Sequence, residues 1–207
     1  MEDPKRILAD GMAAMGVSAT QEQCGRLLDF LRLLQKWNRV YNLTAIVRPM
    51  DMVRLHLLDS LAILPYLRGG QVLDVGTGAG LPGIPLAILS PDKEFTLLDS
   101  NAKKTRFVRQ AAIELGLRNV RVEHARIEQF KPSHGFDIIL ARAYAGLTDI
   151  VGQTARLLNP LGMILAQKGK LPEGEIQQLE GADVATYPLT IPGVDAERHL
   201  IAITIHE

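Results

Sequence analysis

The segment VLDVGTGAGLPG, from Val72 to Gly83, constrains the fold more than any other part of the chain. QVLDVG (71–76) is a short apolar run broken by glycine, the pattern of a buried parallel strand turning at its carboxyl end. Gly76, Gly78 and Gly80 stand at alternate positions, and a helix is expected from there to about Leu89. Glycine suits such a turn because the backbone bends sharply and lets a ligand approach with no Cβ in the way. FTLLD (95–99), VRVEH (120–124), FDIILA (136–141) and MILAQ (163–167) read as further strands, with helices at 102–116 and near 148–158. Two late apolar alternations, ATYPLTI (185–191) and HLIAITI (199–205), suit an antiparallel pair at a sheet edge. Strands alternating with helices predict an α/β fold with a doubly wound, mostly parallel sheet.

The residues before this sheet follow a different rhythm. Thr20 and Gln23 have the spacing of a capping box, and Leu27, Leu31 and Leu34 recur at helical intervals, so 20–37 is read as an amphipathic helix. A second helical stretch is expected from about Met52 to Leu67, ended by Arg68-Gly69-Gly70. The division that follows is a helical appendage over 1–68 and an α/β core over 69–207. No apolar run approaches the ~20 residues of a membrane span. MEDPKRILAD lacks the apolar region of a signal peptide, and the single cysteine, Cys24, offers neither a disulfide framework nor a metal cluster. The expectation is a soluble cytoplasmic protein with no metal.

Basic and acidic side chains balance at 23 each, so only their distribution informs. Residues 101–126 carry a surplus of five positive charges, whereas the chain from 168 onward carries four net negative ones. That asymmetry fits a polyanion met along one edge, or a solvated helix face.

The glycine spacing narrows the cofactor. A dinucleotide fingerprint is G-x-G-x-x-G, but here it is G-x-G-x-G, with Asp74 before the first glycine. A carboxylate beside the loop repels a pyrophosphate and favours the ammonium and sulfonium of S-adenosylmethionine. Asp99 closes the second strand, 23 positions after Gly76, where a carboxylate accepts the hydroxyls of an adenosine ribose. The D-x-G-x-G-x-G pattern resembles the first motif of the seven-stranded, Rossmann-like methyltransferases. Methylation of a pyrimidine C5 needs a cysteine nucleophile, and Cys24 lies on the apolar side of the first helix, far from the loop in sequence. The (N/D)-P-P-(Y/F) string associated with exocyclic amines is also missing.

A more specific resemblance runs through WNRVYNLTAI (37–46), HLLDSL (56–61), DVGTGAGLPGIPLAI (74–88), LLDSNAKKTRFVR (97–109), ARIEQF (125–130), ARAYAGL (141–147), QKGKLPEGEI (167–176) and ERHL (197–200). In these segments the chain resembles the RsmG family (glucose-inhibited division protein B), bacterial 16S ribosomal RNA guanine-N7 methyltransferases. It departs at Ala141, where the family often has serine, and at Asn101, where it often has leucine. The resemblance implies a cofactor held by Gly76, Gly78 and Leu81, with Asp99 on the ribose and Ile127 and Glu128 beside the adenine. It places Arg142 at the crevice, orienting the cofactor carboxylate or the RNA. It further implies 16S ribosomal RNA as partner, in the small subunit or an assembly intermediate, and a monomeric enzyme.

Other residues are read both ways. Lys103, Lys104 and Arg106 open a helix after Asp99 and are either phosphate contacts or a solvated face. Lys168 is a further candidate for RNA. His56 and Asp59 share a helix face and are expected to buttress the appendage. N7 of neutral guanine carries a lone pair and no proton, so no catalytic base is assigned and the rate is expected to come from alignment. Two rival functions are a methyltransferase with a small-molecule or protein substrate, and a non-catalytic nucleotide-sensing regulator.

Overall fold

The computed structural model describes residues 3–206. Helix α1 (Pro4–Ala14) opens the chain, with Asp3 capping the Lys5 N–H. The sequence reading placed no element there, although Asp followed by Pro is a helix-start signal. Helix α2 (Gln21–Tyr41) begins on the expected capping box: Thr20 Oγ1 accepts from the Gln23 N–H at 3.1 Å, and Gln23 Oε1 accepts from the Thr20 N–H at 2.9 Å. It runs one turn past Trp37 and stops where Asn42 turns left-handed. That last turn stacks Tyr41 on Trp37, ring centres 5.3 Å apart.

Next come α3 (Pro49–Met52), a π-helical stretch (Val53–Leu58) and α4 (Asp59–Leu61), where the sequence suggested one regular helix. Wider π turns inside a helix are uncommon and frequent at functional sites. Strand β1 (Gln71–Val75), α5 (Gly83–Leu89), β2 (Glu94–Asp99), α6 (Ala102–Glu114), β3 (Val120–His124) and β4 (Phe136–Arg142) follow. The chain continues with α7 (Leu147–Thr154), β5 (Leu158–Lys168), α8 (Glu173–Ile176), β6 (Ala182–Pro188) and β7 (His199–Ile205). β6 starts three residues earlier than the sequence pattern suggested.

The seven strands form one sheet in the order β3-β2-β1-β4-β5-β7-β6. All pairings from β3 to β5 are parallel, and β7 lies antiparallel between β5 and β6. The order reverses between β1 and β4, the place where open α/β sheets bind ligands beyond the carboxyl ends of their strands.

One apolar cluster joins α1, α2 and the π-helical stretch to α5, α6 and one face of the sheet. Phe30 of α2 and Phe107 of α6 are both buried there, 6.2 Å between ring centres. A second cluster fills the other face, under α7. The Gln23 side chain crosses to α5 and donates to the Ile88 carbonyl at 3.1 Å. Among the described residues, no helix is long and apolar enough to cross a membrane.

Candidate cofactor-binding site

The loop after β1 is built around Asp74. Its Oδ2 accepts from the Thr77 hydroxyl at 2.6 Å and from the Gly83 N–H at 2.9 Å, drawing both ends of the loop onto one buried carboxylate. Burial raises the Asp74 pKa to about 6, against the pull of those two hydrogen bonds and of the Arg142 charge. Its Oδ1 is buried without a hydrogen-bond partner among the described residues. The sequence reading set this carboxylate against a cationic ligand. In the structure Asp74 braces the loop through Thr77 and Gly83 and is not among the residues lining the adjoining cavity.

The cavity lies at the carboxyl ends of β1, β2 and β4 and has a volume of about 300 Å³. Val75 and Gly76 form its floor. A Cβ on Gly76, where φ is +66°, would run into the Tyr144 ring, so glycine is required by both conformation and space. Leu98, Asp99 and Ser100 form one wall, with Lys104 beside them; Ala125 to Glu128 form another, and Ala143 and Tyr144 close the third.

Asp99 is buried, and its two oxygens are held by backbone: Oδ2 accepts from the Gly78 N–H at 2.9 Å and Oδ1 from the Asn101 N–H at 2.8 Å. A carboxylate has about four lone-pair positions, so acceptor capacity remains on each oxygen. The Tyr144 hydroxyl donates to Gln153 Oε1 at 2.7 Å. Burial, then the nearby Glu128 and Asp99 carboxylates, push the Tyr144 pKa above that of an ordinary phenol.

Of the residues singled out from sequence, Gly76, Asp99, Ile127 and Glu128 meet around this cavity, and Lys104 joins them. Gly78 contributes through its bond to Asp99. Leu81 is buried in the loop outside the lining, and Lys103 and Arg106 stand exposed on α6. Lys168 binds the Ala145 carbonyl and Glu175, each at 3.0 Å. Arg142 is paired with Asp59, Nη1 to Oδ2 at 3.0 Å, and is not among the residues lining the cavity. His56 is buried with Nε2 3.0 Å from Thr44 Oγ1; burial, then the Arg142 charge, lower its pKa to about 4. Sequence reasoning missed Tyr144 and Arg126 as wall residues. Tyr144 stands two positions past the assigned Arg142, but only the sheet order shows that this turn closes over Gly76.

The strand order and the cavity at its reversal point define the class: a Rossmann-like fold shared with known methyltransferases. The glycopeptide N-methyltransferase MtfA, solved with S-adenosylmethionine, superposes with a TM-score of 0.64 at 14% identity, covering 73% of this chain and 88% of that one. A putative O-methyltransferase from Klebsiella pneumoniae gives 0.61 at 12% identity and covers 99% of both chains.

The family is narrower. The GidB model, described as rRNA small subunit methyltransferase G, matches residues 23–201, and the chain belongs to this family. A relative from Methylococcus capsulatus, named Ribosomal RNA small subunit methyltransferase G, is 57% identical over 94% of this chain and 95% of its own length. One of the same name from Neisseria gonorrhoeae is 49% identical over 99% of each.

Proposed function

We propose that this protein transfers the methyl group of S-adenosylmethionine to N7 of a guanine in bacterial 16S ribosomal RNA. The observation that carries the reading is the Asp99 cavity at the sheet's reversal point, in a chain that belongs to the GidB family.

The residues suit the cofactor group by group. Asp99 has lone pairs left for the ribose hydroxyls. Leu98 and Ile127 offer apolar walls to an adenine, with Glu128 at the edge. Gly76 leaves bare backbone facing the ligand, while Gly78 and Leu81 fix the loop's course. Arg142 is the positioning cation beside the crevice. Lys103 and Arg106 meet RNA phosphates, as does Lys168 on releasing Glu175. The volume lies at the lower end of the range for small-molecule sites, about 300–1,000 Å³.

The bound cofactor supplies an electrophilic methyl on a sulfonium centre. N7 of guanine has no proton for the protein to remove, so the side chains align the acceptor and exclude water. The target base must be unstacked to reach the cavity, which suits a loop in folded RNA. In this reading residues 1–68 are a helical appendage to a catalytic core at 69–207. The protein works as a monomer in the cytoplasm, on the small subunit or an assembly intermediate.

The test is incubation with radiolabelled S-adenosylmethionine and either small subunits or naked 16S RNA from cells lacking the enzyme, followed by mass mapping of methylated nucleotides. The expected product is 7-methylguanosine at one position of 16S RNA. Label in another RNA or another atom of the base, or in neither form of 16S RNA, would overturn the proposal.

A further inference from the structure

The end of α2 and the loop leading to α3 enclose a second cavity, of about 410 Å³, which the cofactor reading leaves without a task. Gln35, Asn38, Arg39 and Asn42 line it from α2 and its cap, facing Val47 and Met52 beyond the loop. Spacings of three and four residues put those four polar side chains on one side of the helix end. Asn38 serves the fold: its Nδ2 donates to the Thr44 carbonyl and its Oδ1 accepts from the Thr44 N–H, each at 2.9 Å. The side chains of Gln35, Arg39 and Asn42 have no hydrogen-bond partner among the described residues, although Gln35 is half-buried. Asn42 holds φ +49° and ψ +56°, a left-handed conformation that asparagine tolerates.

The surroundings are basic. Residues 36–50 include Lys36, Arg39 and Arg48 and no acid, and none of the three is in an ion pair among the described residues. A side-chain amide sets a donor beside an acceptor, the complement of a nucleobase edge. Met52 is buried, and Val47, 62% exposed, leaves an apolar rim for the flat face of a ring. An arginine free of carboxylates beside such a slot suits the phosphate that comes with the base.

The slot opens at the same end of the molecule as the cofactor site, and the two share no lining residue. Trp37 packs on Phe107, ring centres 5.7 Å apart, one turn along α6 from the Lys104 of the cofactor cavity's wall. From the loop side, Thr44 Oγ1 lies 3.0 Å from His56 Nε2. One turn past His56, Asp59 pairs with Arg142, just before the Ala143 and Tyr144 that close the cofactor cavity.

We propose that this slot receives a second, unpaired base of the RNA, near the methylated guanine, read by the amides of Gln35 and Asn42 while Arg39 meets its phosphate. The inference rests on the reading of RNA as substrate and deepens it. Phosphate contacts carry no sequence information and base-edge contacts do, so the N-terminal helices become the part of the enzyme that selects its RNA.

Binding of the full chain to labelled 16S transcript and to small subunits from cells lacking the enzyme is measured across a salt series. S-adenosylhomocysteine binding is measured by calorimetry without RNA. Asn42→Gly keeps the left-handed turn, which glycine adopts freely, and removes only the amide. Gln35→Ala removes the other amide, which bonds nothing in the fold. Each is expected to weaken RNA binding about tenfold at an unchanged salt slope, because a base contact releases no counterions. Arg39→Gln is expected to lower the slope of log K against log salt by about 0.7, one phosphate of a single strand. Cofactor affinity should stay at the wild-type value in all three.

If Asn42→Gly fails to melt cooperatively, Gln35→Ala decides by itself. Unchanged RNA affinity in Gln35→Ala would overturn the proposal. So would an equal loss of cofactor affinity, which would make the loop a support for the cofactor site through His56. Adenosine and guanosine 5′-monophosphate are titrated separately. Binding of either that is lost in Gln35→Ala while RNA binding stays intact would make the slot a free-nucleotide site, and the proposal would fall. Wild-type protein that binds neither RNA probe would bring down the RNA reading and this inference with it, a separate failure.

Discussion

Asp74, one residue before the end of β1, and Asp99, the last residue of β2, lie on neighbouring parallel strands, and their surroundings give them opposite tasks. Asp74 spends one oxygen on Thr77 and Gly83 and buries the other, so its charge is costly and its pKa rises to about 6. Asp99 takes one backbone N–H on each oxygen and keeps acceptor capacity at the cavity wall. Removing Asp99 therefore does two things: it deletes the ribose partner and releases the Gly78 N–H that shapes the loop. Asp99→Ala is expected to weaken S-adenosylhomocysteine binding by about 1–3 kcal/mol, the range for stranding a buried hydrogen-bonding partner. Calorimetry on the purified variant checks this, and unchanged affinity would remove Asp99 from the site. The sequence showed both carboxylates but not which way each points. A strand's last residues turn toward or away from the crevice according to the loop that follows, and the loop after β1 is closed at Gly76 by Tyr144, from the turn after β4.

At the scale of elements, legibility followed the range of the interactions. The capping box of α2 is local, and Thr20 and Gln23 announced it in sequence. Replacing Thr20 by alanine should cost about 1 kcal/mol. For a chain of this size that is a fall of about 2–4 °C in Tm; a melting curve superimposable on wild type would deny the cap any role in stability. The central strands were legible because they are buried on both faces, so Val72–Val75 and Phe95–Leu98 read as largely apolar runs and Ile138–Ala141 as an unbroken one. Edge strand β6 was placed three residues late because most of its side chains are exposed and the pattern carries little burial signal. The π-helical stretch was invisible for another reason. It leads directly into Asp59, whose partners Arg142 and Arg198 lie far along the chain, and no local spacing encodes that pairing. The same cause hid the pairing of Arg142 with Asp59.

Across the whole molecule, the N-terminal helices and the sheet share one apolar cluster, and a buried ionisable group sits on each side of their junction. His56, on the helical side, has its pKa lowered from 6.5 to about 4 by burial and by the Arg142 charge. The unfolded chain takes up that proton first, so the stability His56 contributes is full above about pH 6.5 and is lost as pH falls toward 4. Asp74, on the sheet side, has its pKa raised from 3.8 to about 6, chiefly by burial. Here the folded chain takes up the proton first, so its contribution is full below about pH 3.8 and is lost as pH rises through 6. Each displacement is worth roughly 3 kcal/mol at its limit, and between pH 4 and 6 the two slopes oppose each other. Asp74→Asn removes one of them while keeping a side-chain oxygen for Thr77 and Gly83. Relative to wild type, this variant should lose stability steadily on acidification from pH 6.5 to 4, because the relief that protonating Asp74 gives the wild-type protein is gone. Thermal melts of both proteins at half-unit pH steps test it, and the difference in Tm should shrink or change sign toward the acid end. A difference that stays constant across that range would mean Asp74 titrates alike in the folded and unfolded chains, and that the loop is braced without a buried charge.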